Sequence, residues 1–179
     1  MHLSFGLDVT KGHVAPNALF QTDQGKIVNL HTKGAEMAIR ELLAQYRIER
    51  AIVHWYSGGR PALRELIAHG CYFTIGVEIM HADKIRTIAG LVPLDRLLTE
   101  TDNPGGWAWF SGGEDGAGEP GMPALVEDVI TALAAVRDTT PDAMRRTVHA
   151  NWLRLLAGDP HLRDVYARLH DDPDTPDDL

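Results

Sequence analysis

The stretch that decides the fold is Ile27-Val28-Asn29-Leu30-His31, followed by a helical stretch over about residues 35–46 and then by Ala51-Ile52-Val53-His54. Two short apolar runs flanking a segment of helical period read as strand, helix, strand. Both runs end in a histidine. The alternation continues outward. A helix over about residues 61–69, broken by Gly70, precedes the run Cys71-Tyr72-Phe73-Thr74-Ile75-Gly76-Val77, and a helix over residues 83–91 leads into Arg96-Leu97-Leu98-Thr99. Four strand-like runs joined by helical connectors predict parallel βα units whose strands are buried on both faces. Pro61 suits a first helical turn, and Pro93 ends the helix before the last strand.

The chain has 179 residues and a mass of 19.7 kDa. That is enough for one domain with a real core but short of the ~250 residues typical of a complete (β/α)8 barrel. A hydrophobic share of 44% with 23% charged residues predicts a globular rather than a disordered chain. The formal charge of −8 excludes a protein that grips duplex DNA by neutralising many phosphates, because such affinity needs clustered Lys and Arg. An enzyme that holds one terminal phosphate remains allowed. Cys71 is the single cysteine, so no intrachain disulfide can form. With no Cys/His zinc-finger spacing, no signal-peptide pattern and no apolar run near ~18 residues, the expectation is a cytoplasmic chain with no membrane segment.

After Asp102 come Asn103-Pro104-Gly105-Gly106, then Trp107, Trp109 and Phe110, and a Gly-rich stretch over residues 111–121. This reads as a long loop over the same end of the sheet as the histidines, and loops of that length are more often functional than accidental. Two helices are expected next, over residues 123–137 and 141–156, the second with Thr140 as N-cap and Gly158 as its stop. Residues 171–179 hold five Asp and two Pro and are predicted to be disordered, which leaves 1–170 as a single domain. Near the start, Leu3-Ser4-Phe5-Gly6-Leu7-Asp8 reads as a strand end.

In parallel α/β sheets the site lies at the C-terminal ends of the strands. Three strands here run into a metal-ligand type: His31, His54 and Asp102, while Glu78 follows the strand over residues 71–77. A lone histidine at a strand end is more often structural, but three such residues in successive βα units are a pattern. Imidazoles and a carboxylate together suit Zn, Mn or Fe, whereas Mg prefers oxygens. A metal so held lowers the pKa of its water and polarises a phosphoryl or carbonyl oxygen, so hydrolysis is the natural reaction class. Lys33 is a candidate phosphate contact, against the alternative of a solvated lysine at a helix start. Trp55 and Tyr56 follow His54 and are placed to line the same cleft, and Ser57-Gly58-Gly59 before a helix would either cradle a phosphate with backbone N–H groups or form a plain turn. Trp107, Trp109 and Phe110 would either stack on bases or pack as a lid.

The segments His54-Trp55-Tyr56-Ser57-Gly58, Gly70-Cys71-Tyr72-Phe73-Thr74-Ile75-Gly76 and Val92-Pro93-Leu94-Asp95-Arg96-Leu97-Leu98-Thr99-Glu100-Thr101-Asp102-Asn103-Pro104 occur in that order. Together they resemble the TatD family of metal-dependent hydrolases. His31-Thr32-Lys33 resembles the family's His-x-Arg motif with Lys33 in place of Arg, and Val148-His149-Ala150-Asn151-Trp152-Leu153 is similar to its terminal Asn-containing helix. The resemblance covers about residues 26–158.

It implies a (β/α)8 barrel of TIM type, of which this chain would hold roughly the second half, strands 4/5 to 8 with the C-terminal helices. It implies one or two divalent cations, Zn, Mn or Mg, and phosphodiesterase action on DNA ends or nucleotides, often as a deoxyribonuclease. By position, His31 and His54 would bind one metal, and Asp102 would bind the other and help activate the attacking water. The family's His-x-His pair has no counterpart, and Ser4 stands where its bridging Glu would precede Gly-Leu-Asp. A half-barrel exposes two sheet edges, so a second copy or a complementing chain is expected to cover them. The alternatives are an impaired fragment that acts through another chain, and an amidohydrolase-like enzyme acting on a C–N or C–O bond.

Overall fold

Alternate residues of each strand face a layer of amphipathic helices, and that alternation builds the sheet. The computed structural model describes residues 25–103, 105–112 and 123–170. Strands β1 (Val28–His31), β2 (Ala51–His54), β3 (Tyr72–Ile75) and β4 (Leu97–Thr99) pair in the order β1-β2-β3-β4, all parallel. Helices α1 (Glu36–Gln45), α2 (Arg60–His69) and α3 (Asp83–Leu91) form the crossovers. Beyond β4 come α4 (Gly105–Gly112), α5 (Val126–Val136), α6 (Pro141–Ala157) and α7 (Arg163–His170). Among the described residues, no helix is long and apolar enough to cross a membrane.

One face of the sheet carries the main core. Val28, Leu30, Ala51, Val53, Phe73, Ile75 and Leu97 pack there against Ile39 and Leu43 of α1, Leu63 and Leu66 of α2, and Ile85 and Ile88 of α3. The helical residues recur at three- and four-residue spacing, which puts them on one stripe. Gly70, at φ 96°, closes α2 in the left-handed conformation that glycine adopts without steric cost. The exposed carbonyls at the end of α3 are met from a distance: one Arg137 guanidinium nitrogen donates to Ala89, Gly90 and Val92 at 2.9–3.0 Å.

The opposite face is smaller and less covered. Ile52, Tyr72 and Leu98 cluster there with Leu155 of α6 and with Ile27. Asn151 anchors α6 under β4. Its amide donates to the Leu94 and Leu97 carbonyls at 2.7 and 2.8 Å, and its oxygen accepts from Arg154. Thr140 caps α6 by accepting from the Ala143 N–H, as its position before Pro141 predicts.

Two expectations need correction. The run over residues 71–77 leaves the sheet at Ile75, because Val77–Met80 forms a 3-10 turn that buries Val77 and Ile79 and turns Glu78 inward. Residues 105–112 are helical rather than loop: the Gly106 N–H donates to the Asp102 carbonyl at 2.7 Å, and Trp107 packs against the core. Helix α7 follows in a strongly polar segment; Asp159, which accepts from both the Ile27 and His161 backbone N–H groups, leads into it. The strand read at residues 3–8 with Ser4, the Gly-rich residues 113–121 and the acidic end 171–179 lie outside the described residues.

Cys71 is fully buried and free. Burial pushes its thiol from an ordinary 9.0 up to about 12, slightly opposed by a backbone hydrogen bond and the Arg96 charge. The folded state then holds this proton more tightly than the unfolded chain. Its stabilising effect is complete below pH 9.0 and declines as pH rises towards about 12. Urea denaturation at alkaline pH is expected to show that decline in the wild type and less of it in Cys71→Ala. Replacing Asn151 by Leu removes the donor from the Leu97 carbonyl, which is buried, and from that of Leu94, and is expected to cost about 1–3 kcal/mol by the same measurement.

Candidate functional site

Parallel pairing sets all four carboxyl ends along one edge, and a cleft of about 390 Å3 opens there. His31, Lys33, His54, Trp55, Ser57, Glu78 and Asp102 line it, with Thr32, Gly105 and Gly106. Seven residues singled out from the sequence therefore converge. His31 and His54 are register partners on β1 and β2, and their rings lie 4.5 Å apart between centroids. Asp102 sits three residues past the end of β4 at φ 47°, half-exposed, with Oδ1 3.9 Å from His54 Nε2. Lys33 is exposed at the rim, where its charge reaches Glu78.

Two candidates lie elsewhere. Tyr56 is 3% exposed and belongs to the main core, where its hydroxyl donates to the Gly59 carbonyl at 2.7 Å and its ring meets Phe73 edge-on. It is not a cleft residue, because the turn after β2 points it back under the sheet. Trp107 packs on the core and against His81 instead of lining the cleft. The side chains of Trp109 and Phe110 lie outside the described residues.

The residue that sequence reasoning missed is Glu100. One of its oxygens, Oε1, accepts from the Trp55 backbone N–H at 3.1 Å and from the Thr74 hydroxyl at 2.7 Å. Its other oxygen, Oε2, lies against His54 Nε2. One carboxylate thus ties together the ends of β2, β3 and β4. Trp55 needs this support, since it sits at φ 51°, a left-handed conformation that costs a bulky residue about 1–3 kcal/mol. Gly106 completes the clasp. A Cβ there would run into the Thr101 carbonyl and lie 3.2 Å from the Trp55 ring.

The electrostatics follow from three carboxylates around one imidazole. Burial pulls the His54 pKa down, but pairing with Glu100 and the charges of Asp102 and Glu78 outweigh it, and the net direction is up. Glu78, buried in its turn, is also raised. Burial is the main cause, the Glu100 charge adds to it, and the hydrogen bond from Trp55 with the charges of His54 and Lys33 opposes it.

One buried polar atom of the cleft, His54 Nδ1, has no hydrogen-bond partner among the described residues, while Glu100 Oε2 is paired with His54 Nε2. A cation would satisfy such an atom, and imidazoles with carboxylates are suitable donors. The arrangement nevertheless falls short. Among the described residues no group of three or more His, Cys, Asp or Glu is placed to hold a metal ion. The donor types fit a metal, but the described residues alone do not place enough of them to hold one.

Titratable side chains gathered at the carboxyl ends of parallel strands define an α/β protein with an enzyme-type cleft. The chain belongs to the TatD related DNase family, whose model matches residues 21–157. It is 27% identical over 134 residues to an uncharacterized metal-dependent hydrolase, YcfH, of Escherichia coli K12, a match covering 73% of this chain and 49% of that protein. It is 32% identical over 82 residues to the 3'-5' ssDNA/RNA exonuclease TatD of Erwinia tasmaniensis, covering 43% of this chain and 32% of that one. Its fold is similar to YJJV, a TatD homologue of Escherichia coli K12, with a TM-score of 0.64 at 23% identity over 84% of this chain and 61% of that one. The chain therefore spans about half the length of the first of these relatives.

Replacing Glu100 by Ala is expected to cost about 1–3 kcal/mol in urea denaturation, because the Trp55 N–H and the Thr74 hydroxyl lose their shared acceptor. Glu100→Gln keeps an acceptor oxygen and should cost less. Equal losses would mean that the charge, rather than the hydrogen bonds, holds the three strand ends.

Proposed function

We propose that this chain forms part of a metal-dependent hydrolase of phosphodiester bonds, acting on DNA ends or nucleotide phosphoesters. The observation that carries the proposal is the convergence of His31, His54 and Asp102, with Glu78 and Lys33, in one cleft at the strand ends. The family membership and the names of the relatives support it. Divalent Zn, Mn or Mg is the proposed cofactor, held once the donor set is complete.

Each residue has a role suited to its place. Lys33 is the exposed cation at the rim and pairs with a substrate phosphate, in a chain whose net charge of −8 would otherwise repel it. Trp55 lines the cleft and offers a flat face on which a terminal base stacks without sequence preference. Asp102, half-exposed and within 3.9 Å of His54, takes a proton from the attacking water. Glu100 and Thr74 hold the Trp55 backbone, and with it the cleft wall. The buried lone thiol of Cys71 supports a reducing compartment, and the cytoplasm is proposed on that ground.

The test is hydrolysis of a single-stranded oligonucleotide, with and without added Mn or Zn and with a chelator. Metal is expected to stimulate activity and the chelator to abolish it. Asp102→Asn should lower kcat by about 100-fold or more with little change in KM, whereas Lys33→Ala should act mainly on KM. Activity indifferent to the chelator would overturn the proposal.

A further inference from the structure

We propose that the groove between the sheet and α6 binds an aliphatic carboxylic acid, its carboxylate on Arg146 and His149 and its alkyl chain between the sheet and Trp152. This groove shares no lining residue with the cleft at the strand ends, and its occupant does not depend on the hydrolase function proposed above.

The groove has a volume of about 540 Å3, in the range of cavities that take small molecules. Its floor is the less covered face of the sheet, through Ile52 and Leu98, and its roof is Ile130 of α5 with Val148 and Trp152 of α6. Helix α6 is held in place by Asn151, whose amide donates to the Leu94 and Leu97 carbonyls. The groove is therefore a gap between packed elements and not an open strand edge. Helix α6 buries Met144, Leu153, Leu155 and Leu156, yet Trp152 stays 36% exposed. An indole at that place offers a large apolar face to an alkyl chain.

Three basic side chains stand on the groove side of α6: Arg145, Arg146 and His149. Arg145 is already engaged, since its guanidinium pairs with both Glu127 and Asp142. The side chains of Arg146 and His149 form no ion pair or hydrogen bond among the described residues. Residues three apart on a helix are neighbours, so Arg146, His149 and Trp152 make one stripe that spans about 9 Å of α6. In a chain of net charge −8, two unengaged basic groups beside an apolar wall match a ligand with one anionic end and one apolar end. The wall selects the kind of apolar end. Among the described residues Thr74 and Thr99 supply the hydroxyls of the sheet side, and that of Thr74 is committed to Glu100. The polar edges of a nucleotide base would find few partners there, whereas an alkyl chain needs none.

Calorimetry on the full chain with octanoate, decanoate and dodecanoate, each below its micelle-forming concentration, should show saturable binding. Affinity should rise about fourfold per added methylene until the groove is filled. Arg146→Gln combined with His149→Gln should weaken decanoate about tenfold or more and leave decanol unchanged. Trp152→Ala should weaken both. These positions are exposed or half-buried, so the variants should keep the circular dichroism spectrum of the wild type. Met37→Ala on α1 and Arg163→Gln on α7 alter exposed residues elsewhere and should change neither affinity. No saturable binding, affinity independent of chain length, or equal losses in the Met37 and Arg163 variants overturns the site. Equal loss of decanoate and decanol in the Arg146 and His149 variant overturns the placement of the carboxylate. Tighter binding of adenosine monophosphate than of dodecanoate overturns the choice of an aliphatic acid.

Discussion

Parallel pairing is the constraint on which the rest of this molecule depends. When every strand runs the same way, every carboxyl end arrives at one edge of the sheet, and side chains far apart in the chain become neighbours there. His31 and His54 face each other because Val28 pairs with Ala51 three residues earlier in the same register. The Glu100 carboxylate then links the Trp55 backbone, the Thr74 hydroxyl and the His54 ring. It converts a row of strand ends into a wall with a defined shape.

The wall is electrostatically unbalanced. Glu78, Glu100 and Asp102 surround one imidazole, and the pKa values of His54 and Glu78 both move up in response. Such a cluster is costly to bury unless positive charge completes it. Lys33 at the rim supplies some. The buried His54 Nδ1, which has no hydrogen-bond partner among the described residues, marks where the local arrangement is unfinished.

Much of the fold was legible because it is written locally. The helices at α1, α2 and α3 follow from apolar spacing, while Gly70 marks the end of α2 by its backbone conformation and Thr140 the start of α6 by its capping chemistry. Strand ends were less legible. Ile75 and Gly76 carry no signal that separates a continuing strand from a 3-10 turn, and the choice was made by burial of Val77 and Ile79. Gly105-Gly106 looks like a loop in one dimension, yet close packing against Trp55 and Asp102 is what requires a glycine at 106. Tyr56 and Glu100 mark the same limit within the site. Adjacent to histidine and aspartate candidates, they were assigned to the cleft and overlooked, respectively, because neighbours along a chain that leaves a strand point in unrelated directions.

The sequence alone determined the alternation of strand and helix, the parallel class of the sheet and which residue types stand at the strand ends, because periodicity and residue chemistry are properties of short segments. It also carried the family resemblance, in motifs whose order is itself one-dimensional. Only the tertiary structure decided that Tyr56 belongs to the core, that Glu100 braces three strands, and that the metal-type residues share one cleft. Those outcomes depend on distances between segments tens of residues apart. The packing of helices on one face of the sheet sets such distances, and no local pattern encodes them.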